Sequence, residues 1–277
     1  MPAGSRKRPG YKLLTLGGVL ALALGGVVAV TTADAATSPT LVAAAGYSVL
    51  GGAAVTCIGP TTTTGAVGVS PGSSITVVPP CSFGGGTHIN DSGLGGAIAA
   101  QADATAAFTT LTNEPCTVLF TVPVNLASLS PLGPGVYCDA SSFSLTGTLT
   151  LTTGPGVWIF KTVSTLITAS GSSVTGGDPC NIWWRVGSNA TLGSTTSFEG
   201  TIIAQGASTN ALVTGATLNG RVLALTLGTV TLDNNYIHGP TCETTGGGTP
   251  PTTAPGSTTT TAPGSTTTPG VVARFTG

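Results

Sequence analysis

Charge is what this chain lacks most. Asp, Glu, Lys and Arg make up 6% of its 277 residues, against about a quarter in an average soluble protein. So uncharged a surface excludes the ordinary enzyme exterior. Aromatic residues are scarce at 5% and there is a single methionine, so large side chains alone cannot build the core. Beyond residue 30 no apolar run nears the roughly 20 residues of a membrane-spanning helix, although the mean hydropathy is +0.42. The apolar content must be packed within the fold or displayed on it. What is abundant is Gly at 42, Pro at 19 and Thr at 51, a composition that favours strands and turns over helices.

Arg6, Lys7, Arg8 and Lys12 precede an apolar stretch from Leu13 to Val30, and Ala33-Asp34-Ala35 follows as an A-x-A cleavage site. Together they predict a secretory signal over residues 1–35, hence a secreted, extracellular protein without a membrane segment after its removal. A retained N-terminal anchor is the rival reading, because the apolar run is long. Without the leader, four basic residues remain, Lys161, Arg185, Arg221 and Arg274, against eight acidic ones, for a net charge of about −4. No basic cluster exists to hold phosphates, which argues against nucleic acid as a partner.

All six cysteines, Cys57, Cys81, Cys116, Cys138, Cys180 and Cys242, follow the cleavage site. An even count in an exported chain predicts three disulfides. Sequence leaves the pairing open, with Cys116–Cys138 the best local choice because the Pro- and Leu-rich segment between them needs a staple. No C-x-x-C pair occurs and neither His88 nor His238 stands at ligand spacing from a cysteine, so neither a zinc site nor any other metal or cofactor is expected.

From Cys180 to Ile237 the sequence repeats every 20 residues. Leu192, Leu212 and Leu232 share one phase, Gly200 and Gly220 a second, Ile182, Ile202 and Val222 a third, and Trp184, Ala204 and Ala224 a fourth. Rows of like residues at a fixed period predict stacked coils, each holding three short strands: an all-β solenoid. Leu145 to Thr152 alternates Leu with Thr, as a strand with one buried side does. One segment breaks the pattern: Leu94, Ile98, Gln101, Thr105, Phe108 and Leu111 recur at three and four residues, predicting one helix over about 91–112 with Asp91 or Ser92 as N-cap, packed along the solenoid. Residues 113–135 carry Pro115, Pro123, Pro131 and Pro134 without a clear period and are expected to cap one end of the stack. The domain thus spans 36–242. After it, Thr-Thr-Ala-Pro-Gly-Ser-Thr-Thr occurs at Thr252–Thr259 and again at Thr260–Thr267, which predicts a disordered stalk over 243–277 that could associate with a cell wall.

Nine segments in order carry a family resemblance: Thr64-Gly65-Ala66-Val67-Gly68-Val69-Ser70-Pro71-Gly72, Ala100-Gln101-Ala102-Asp103, Pro134-Gly135-Val136-Tyr137, Leu145-Thr146-Gly147-Thr148-Leu149-Thr150, Val157-Trp158-Ile159-Phe160, Cys180-Asn181-Ile182-Trp183-Trp184-Arg185-Val186-Gly187-Ser188, Phe198-Glu199-Gly200, Asn219-Gly220-Arg221-Val222-Leu223-Ala224 and Val230-Thr231-Leu232-Asp233-Asn234-Asn235. From about Ala43 to Cys242 the chain resembles the ice-binding-protein-like family of secreted microbial β-solenoids. Ala66-Val67 departs from the Asp-Leu pair usual there. The resemblance implies a right-handed discontinuous β-solenoid of triangular section with one long α-helix beside it, and an ice crystal surface as partner.

A solenoid suits that partner because stacking holds strands nearly flat where an isolated sheet would twist. Thr supplies a stiff χ1, a methyl and a hydroxyl, which together can order and tether water. The aligned segments Ser194–Ser197, Thr214–Thr217 and Asn234–Ile237 offer the candidate surface: Thr195, Ser197, Thr214, Thr217 and Asn234. Thr214-Gly215-Ala216-Thr217 is similar to the family's Thr-(Ala/Gly)-x-(Thr/Asn) surface motif, whereas Tyr236 and Ile237 interrupt it. Thr148, Thr150 and Thr152 form a second candidate row. Thr on exposed strand positions also follows from β-propensity alone. Catalysis would need convergent acids and bases, and Glu199 and Arg221, one coil apart, read instead as a surface ion pair. The expectation is a monomeric, non-enzymatic ice-binding protein; the alternative is a cell-surface adhesion or stalk protein that binds glycan or cells without ice activity.

Overall fold

The computed structural model describes residues 27–29, 36–225, 227–239 and 242. Apart from a strand at Val27–Ala29, the expected leader lies outside them, as does the expected stalk. Short parallel strands stack into a three-faced β-solenoid, and one helix, α1 (Ala97–Asn113), packs alongside.

Each coil above the lowest contributes one strand to each face. The first face runs through Val118–Phe120, Gly135–Asp139, Trp158–Thr162, Ile182–Val186 and on through 201–204 and 221–224. The second holds Phe143–Leu145, Leu166–Thr168, Ala190–Leu192, Thr209–Leu212 and Thr229–Asp233. The third holds Thr148–Thr150, Ser173–Thr175, the first halves of Ser197–Ala204 and Thr217–Ala224, and Tyr236–His238. Those eight-residue strands bend from the third face into the first at Gly200 (φ 101°) and Gly220. A Cβ on Gly220 would stand 1.9 Å from the Gly200 carbonyl oxygen, so only glycine lets the coils stack at this corner.

The stack is discontinuous in sequence. Tyr47–Gly51, Ala54–Ile58 and Thr61–Thr63 lie on top of the last C-terminal coil, paired to Thr217–Ala224, Thr229–Asp233 and Tyr236–His238. A further coil, Ala66–Val69, Ser74–Val78 and Cys81–Phe83, lies on these, and Thr87–Ile89, paired to Ala66–Val69, is the last strand before α1. Helix α1 then precedes the lowest coil. The three disulfides join Cys57–Cys81 between the top coils, Cys116–Cys138 at the bottom, as expected, and Cys180–Cys242.

Two apolar layers hold this together. Inside the bore, Leu192, Leu212 and Leu232 stack in register and are buried. Tyr137, Phe160, Trp184 and Phe198 form a column of rings with centroids 5.4, 4.1 and 4.7 Å apart. Ile202 and Val222 are register partners, but Ile202 meets Trp184 rather than Ile182, which pairs with Trp158. That corrects the expected row by two residues; because the shift is even, Ile182 still points inward. The second layer lies between the outer side of the first face (Leu50, Ile159, Trp183, Ile203, Leu223) and the helix.

The helix differs from expectation. Gly93 (φ 112°) and Gly95 (φ 83°) keep the chain non-helical until Ala97, yet Asp91 still caps it from outside, its Oδ1 accepting the Ala97 N–H at 2.8 Å. The buried stripe is Ala97, Ala100, Gln101, Ala104, Ala107, Phe108 and Leu111, while Leu94, Ile98 and Thr105 are exposed. Alanine faces the sheet because only a small side chain lets the helix axis approach it. At the C-terminal end Lys161 Nζ donates to the carbonyls of Thr112 (3.0 Å) and Glu114 (2.5 Å), and Arg185 lies 4.3 Å over the Phe108 ring. Cations there complement the helix dipole.

Residues 113–135 are the lowest coil rather than a separate cap. Val118–Phe120 and Val124–Asn125 join the ladders of the coil above, a 3₁₀ turn at Leu126–Leu129 follows, and Pro115, Pro123, Pro131 and Pro134 lie outside those strands. Val27–Ala29 pairs antiparallel with Val118–Phe120.

Candidate functional site

Because the helix covers the outer side of the first face, the second and third faces are the ones over which no other described helix packs. On the second face the outward row is Ser144, Ile167, Thr191, Ala211, Thr231, Thr56 and Thr76, one residue per coil in unbroken register. A parallel row beside it runs Thr209, Thr229, Ala54 and Ser74. Thr229 Oγ1 donates to Thr209 Oγ1 at 2.9 Å, which orients both methyls. Among its strand residues Asp233, at one edge, is the sole ionisable group, Cys57 being held in a disulfide. Its carboxylate accepts a hydrogen bond from Thr214 Oγ1.

The third face is less uniform. Its outward row is Thr148, Ser173, Ser197, Thr217, Tyr236, Thr62 and Ser82. Beside it lie Glu199, Asn219 and His238. Burial pushes the Glu199 carboxyl up, against a hydrogen bond from Asn219. Glu199 does not meet Arg221, contrary to the expected ion pair: it takes its hydrogen bond from Asn219 Nδ2 at 3.4 Å, while Arg221 is buried and donates to the Ala45 carbonyl. The register explains this, since Glu199 pairs with Asn219 and Arg221 lies two residues on, beyond the Gly220 bend.

All five candidate side chains are exposed, but they divide. Thr195, Thr214 and Asn234 stand at the corner between the second and third faces; Ser197 and Thr217 are register partners on the third face. The corner repeats a left-handed residue in successive coils, Gly171, Thr195, Gly215 and Asn234, with φ of 71°, 56°, 76° and 52°. Their neighbours Ser172, Thr196, Ala216 and Asn235 are buried. Thr196 Oγ1 meets Thr168 Oγ1 at 2.9 Å, and Asn235 Nδ2 donates to the carbonyls of Val213 and Ala216. Thr196 and Asn235 are thus internal rivets of the corner, and Ile237 belongs to the core. Of the second candidate row, Thr148 and Thr150 are exposed on the third face and Thr152 is half-buried beyond its strand.

The outward row of the second face was not singled out from sequence. Its signal was present: Thr191, Ala211 and Thr231 follow the same 20-residue phase, one position before the Leu row. Among the described residues no group of three or more His, Cys, Asp and Glu side chains could hold a metal ion. Lys161, Arg185 and Arg221 are all held at the first face or the helix beside it; burial lowers the Lys161 ammonium and takes the Arg221 guanidinium down to about 10.

The Ice-binding-like family model matches residues 49–238. An ice-binding protein from Nostoc sp. (strain HG1) is 40% identical over 189 residues, 65% of this chain and 66% of that protein. One from Colwellia sp is 37% identical over 114 residues, 40% of this chain and 44% of that protein. The matched segments therefore span less than two thirds of the length of either relative. Among solved structures, an ice binding protein from an Antarctic biological consortium superposes with a TM-score of 0.68 at 34% identity, covering 76% of this chain and 95% of that one. The ice-binding protein of the Antarctic ascomycete Antarctomyces psychrotrophicus gives 0.65 at 34% identity, covering 74% and 100%.

Proposed function

The chain belongs to the ice-binding-like family, and on that footing we propose that it is exported and acts without catalysis, adsorbing as a monomer to ice through the second face and the corner that borders it. Thr191, Ala211, Thr231, Thr56 and Thr76 form the centre of this surface; Thr195, Thr214 and Asn234 form its edge. Ser197 and Thr217 lie across that edge as its third-face margin. What carries the reading is the unbroken register of these five coils with no ionisable side chain in the row. A crystal plane requires a flat partner, and neighbouring coils repeat at about 4.8 Å. A charged group would impose its own hydration shell, whereas methyl and hydroxyl groups in rows order water without one. The relatives described above are ice-binding proteins, which does not favour adhesion without ice activity as the alternative.

The leader and the Thr-rich stalk fit an extracellular protein whose ice-adsorbing domain is held away from a cell surface. If the leader is cleaved after Ala35, the Val27–Ala29 pairing belongs to the precursor alone. Ice-affinity partition of the protein tests the function: it should concentrate into a slowly growing ice front. Exclusion of the wild type from that front would end the reading. Thr231→Lys should abolish incorporation, whereas Thr217→Arg, at the margin, should weaken it less.

A further inference from the structure

The third face carries a different chemistry from the second. Where Thr217 and Thr62 stand on neighbouring coils, their register partner between them is Tyr236, 48% exposed. Its ring lies 6.2 Å from His238 at an interplanar angle of 23°, so the two form a shelf along one strand. Asn219 is the register partner of His238, and Glu199 of Asn219, which gives a ladder of planar polar groups beside the ring. The shelf ends at a cleft of about 300 Å³ lined by Tyr47, Ser48, Thr64, Gly65, Arg221 and His238. That volume lies at the small end of ligand sites.

This combination is poorly suited to ice. The ring breaks flatness, and a carboxylate and an imidazole bring their own hydration. It suits a sugar. The apolar face of a pyranose packs on an aromatic ring, which presents a large apolar body, and amide and carboxylate groups match pairs of hydroxyls because they offer donors and acceptors in one plane. Successive coils place such groups in step along the solenoid axis, as successive rings of a chain require.

We propose that the Tyr236–His238 shelf and its cleft form a second binding site, taking a β-linked glycan chain with Tyr236 stacked on one pyranose ring and Asn219 and Glu199 bonded to its hydroxyls. The site is separate from the ice-adsorbing face.

The test uses soluble cellohexaose, laminarihexaose and chitohexaose as probes, with binding to the full protein followed by NMR titration and calorimetry. Wild type should bind at least one probe. Tyr236→Ala and Asn219→Ala should each weaken that binding at least tenfold with unchanged thermal unfolding and unchanged ice partition, and Thr231→Lys should leave it intact. The proposal is overturned if wild type binds none of the three at millimolar concentration, or if Tyr236→Ala binds as well as wild type. It is equally overturned if Tyr236→Ala loses ice partition, because the shelf would then belong to the ice surface.

Discussion

Thr231 and Thr56 are register partners in neighbouring coils, although one lies near the end of the domain and the other near its start. The surface they share is therefore composite. Five backbone pairs, Thr229 with Ala54 through Asp233 with Ile58, carry the second face across the seam without a slip. On the first face the same seam holds two pairs, Val49 with Val222 and Leu50 with Leu223. Gln101 ties the helix to the C-terminal side of that seam, donating from Nε2 to the Ala224 carbonyl at 2.9 Å. Strict register is kept where flatness matters for the proposed adsorption.

The composite row makes a prediction on both sides of the seam. Thr56→Arg should abolish ice partition as completely as Thr231→Lys, and Ala211→Thr, which completes a run of five Thr residues, should increase it. Thermal unfolding of the three variants should move by no more than about 0.5 kcal/mol, since these are surface positions. Thr214→Lys at the corner should also reduce partition.

Leu212 lies between Leu192 and Leu232 inside the bore. Its truncation to Ala leaves a cavity that rigid coils above and below cannot close, so chemical denaturation should show a loss of about 2 to 5 kcal/mol. An effect below about 1 kcal/mol would mean that the coils collapse on the gap.

Thr195 holds φ at 56° where neighbouring coils use Gly171, Gly215 and Asn234. A left-handed conformation costs an L-residue about 1 to 2 kcal/mol, and β-branching makes it rarer still. Thr195→Gly should therefore stabilise the fold by up to about 1 kcal/mol after the extra unfolded-state entropy of glycine is subtracted, seen as a rise of about 2 to 4 °C in Tm.

Three disulfides predict no alkylatable thiol in native protein, checked by intact mass with and without reductant. Replacing Cys116 and Cys138 together by Ser should cost about 3 kcal/mol through loop entropy and should loosen the lowest coil first, as hydrogen exchange at Val118–Phe120 would report.

Acid should act on the helix start. The Ala97 amide, and after it His88, hold the Asp91 carboxyl below its ordinary range. A depressed carboxylate contributes stability above its unfolded value, about 3.9, and loses it as pH falls through the lower folded value. Wild type should therefore lose more thermal stability than Asp91→Asn as the pH drops from 5 to 2. Equal losses would remove Asp91 from that role.

Much of the fold was legible because the solenoid writes its period into the chain. The Leu row, the alternation of Leu145 to Thr152 and the even cysteine count each follow from local rules. The helix start was misplaced because Asp91 caps across a glycine loop, and spacing cannot tell a capping residue six positions away from one adjacent. Its buried stripe was misread because Ala is a weak hydrophobic signal; what buries Ala100 and Ala104 is the sheet they lie against. The runs Trp158-Ile159-Phe160 and Ile202-Ile203-Ala204 do mark a strand buried on both sides, which identifies the face that α1 covers.

By itself the sequence determined the coil period, the strand-rich class, the inward Leu positions and the near-absence of charge, since each depends on residue type and spacing along one segment. The tertiary structure alone decided that residues 54–58 lie on residues 229–233, that Thr56 and Thr76 extend the row through Thr231, and that Thr196 and Asn235 turn inward at the corner. Those facts rest on pairing between segments distant in the chain, and backbone hydrogen bonds between parallel strands carry no sequence signature of their partner.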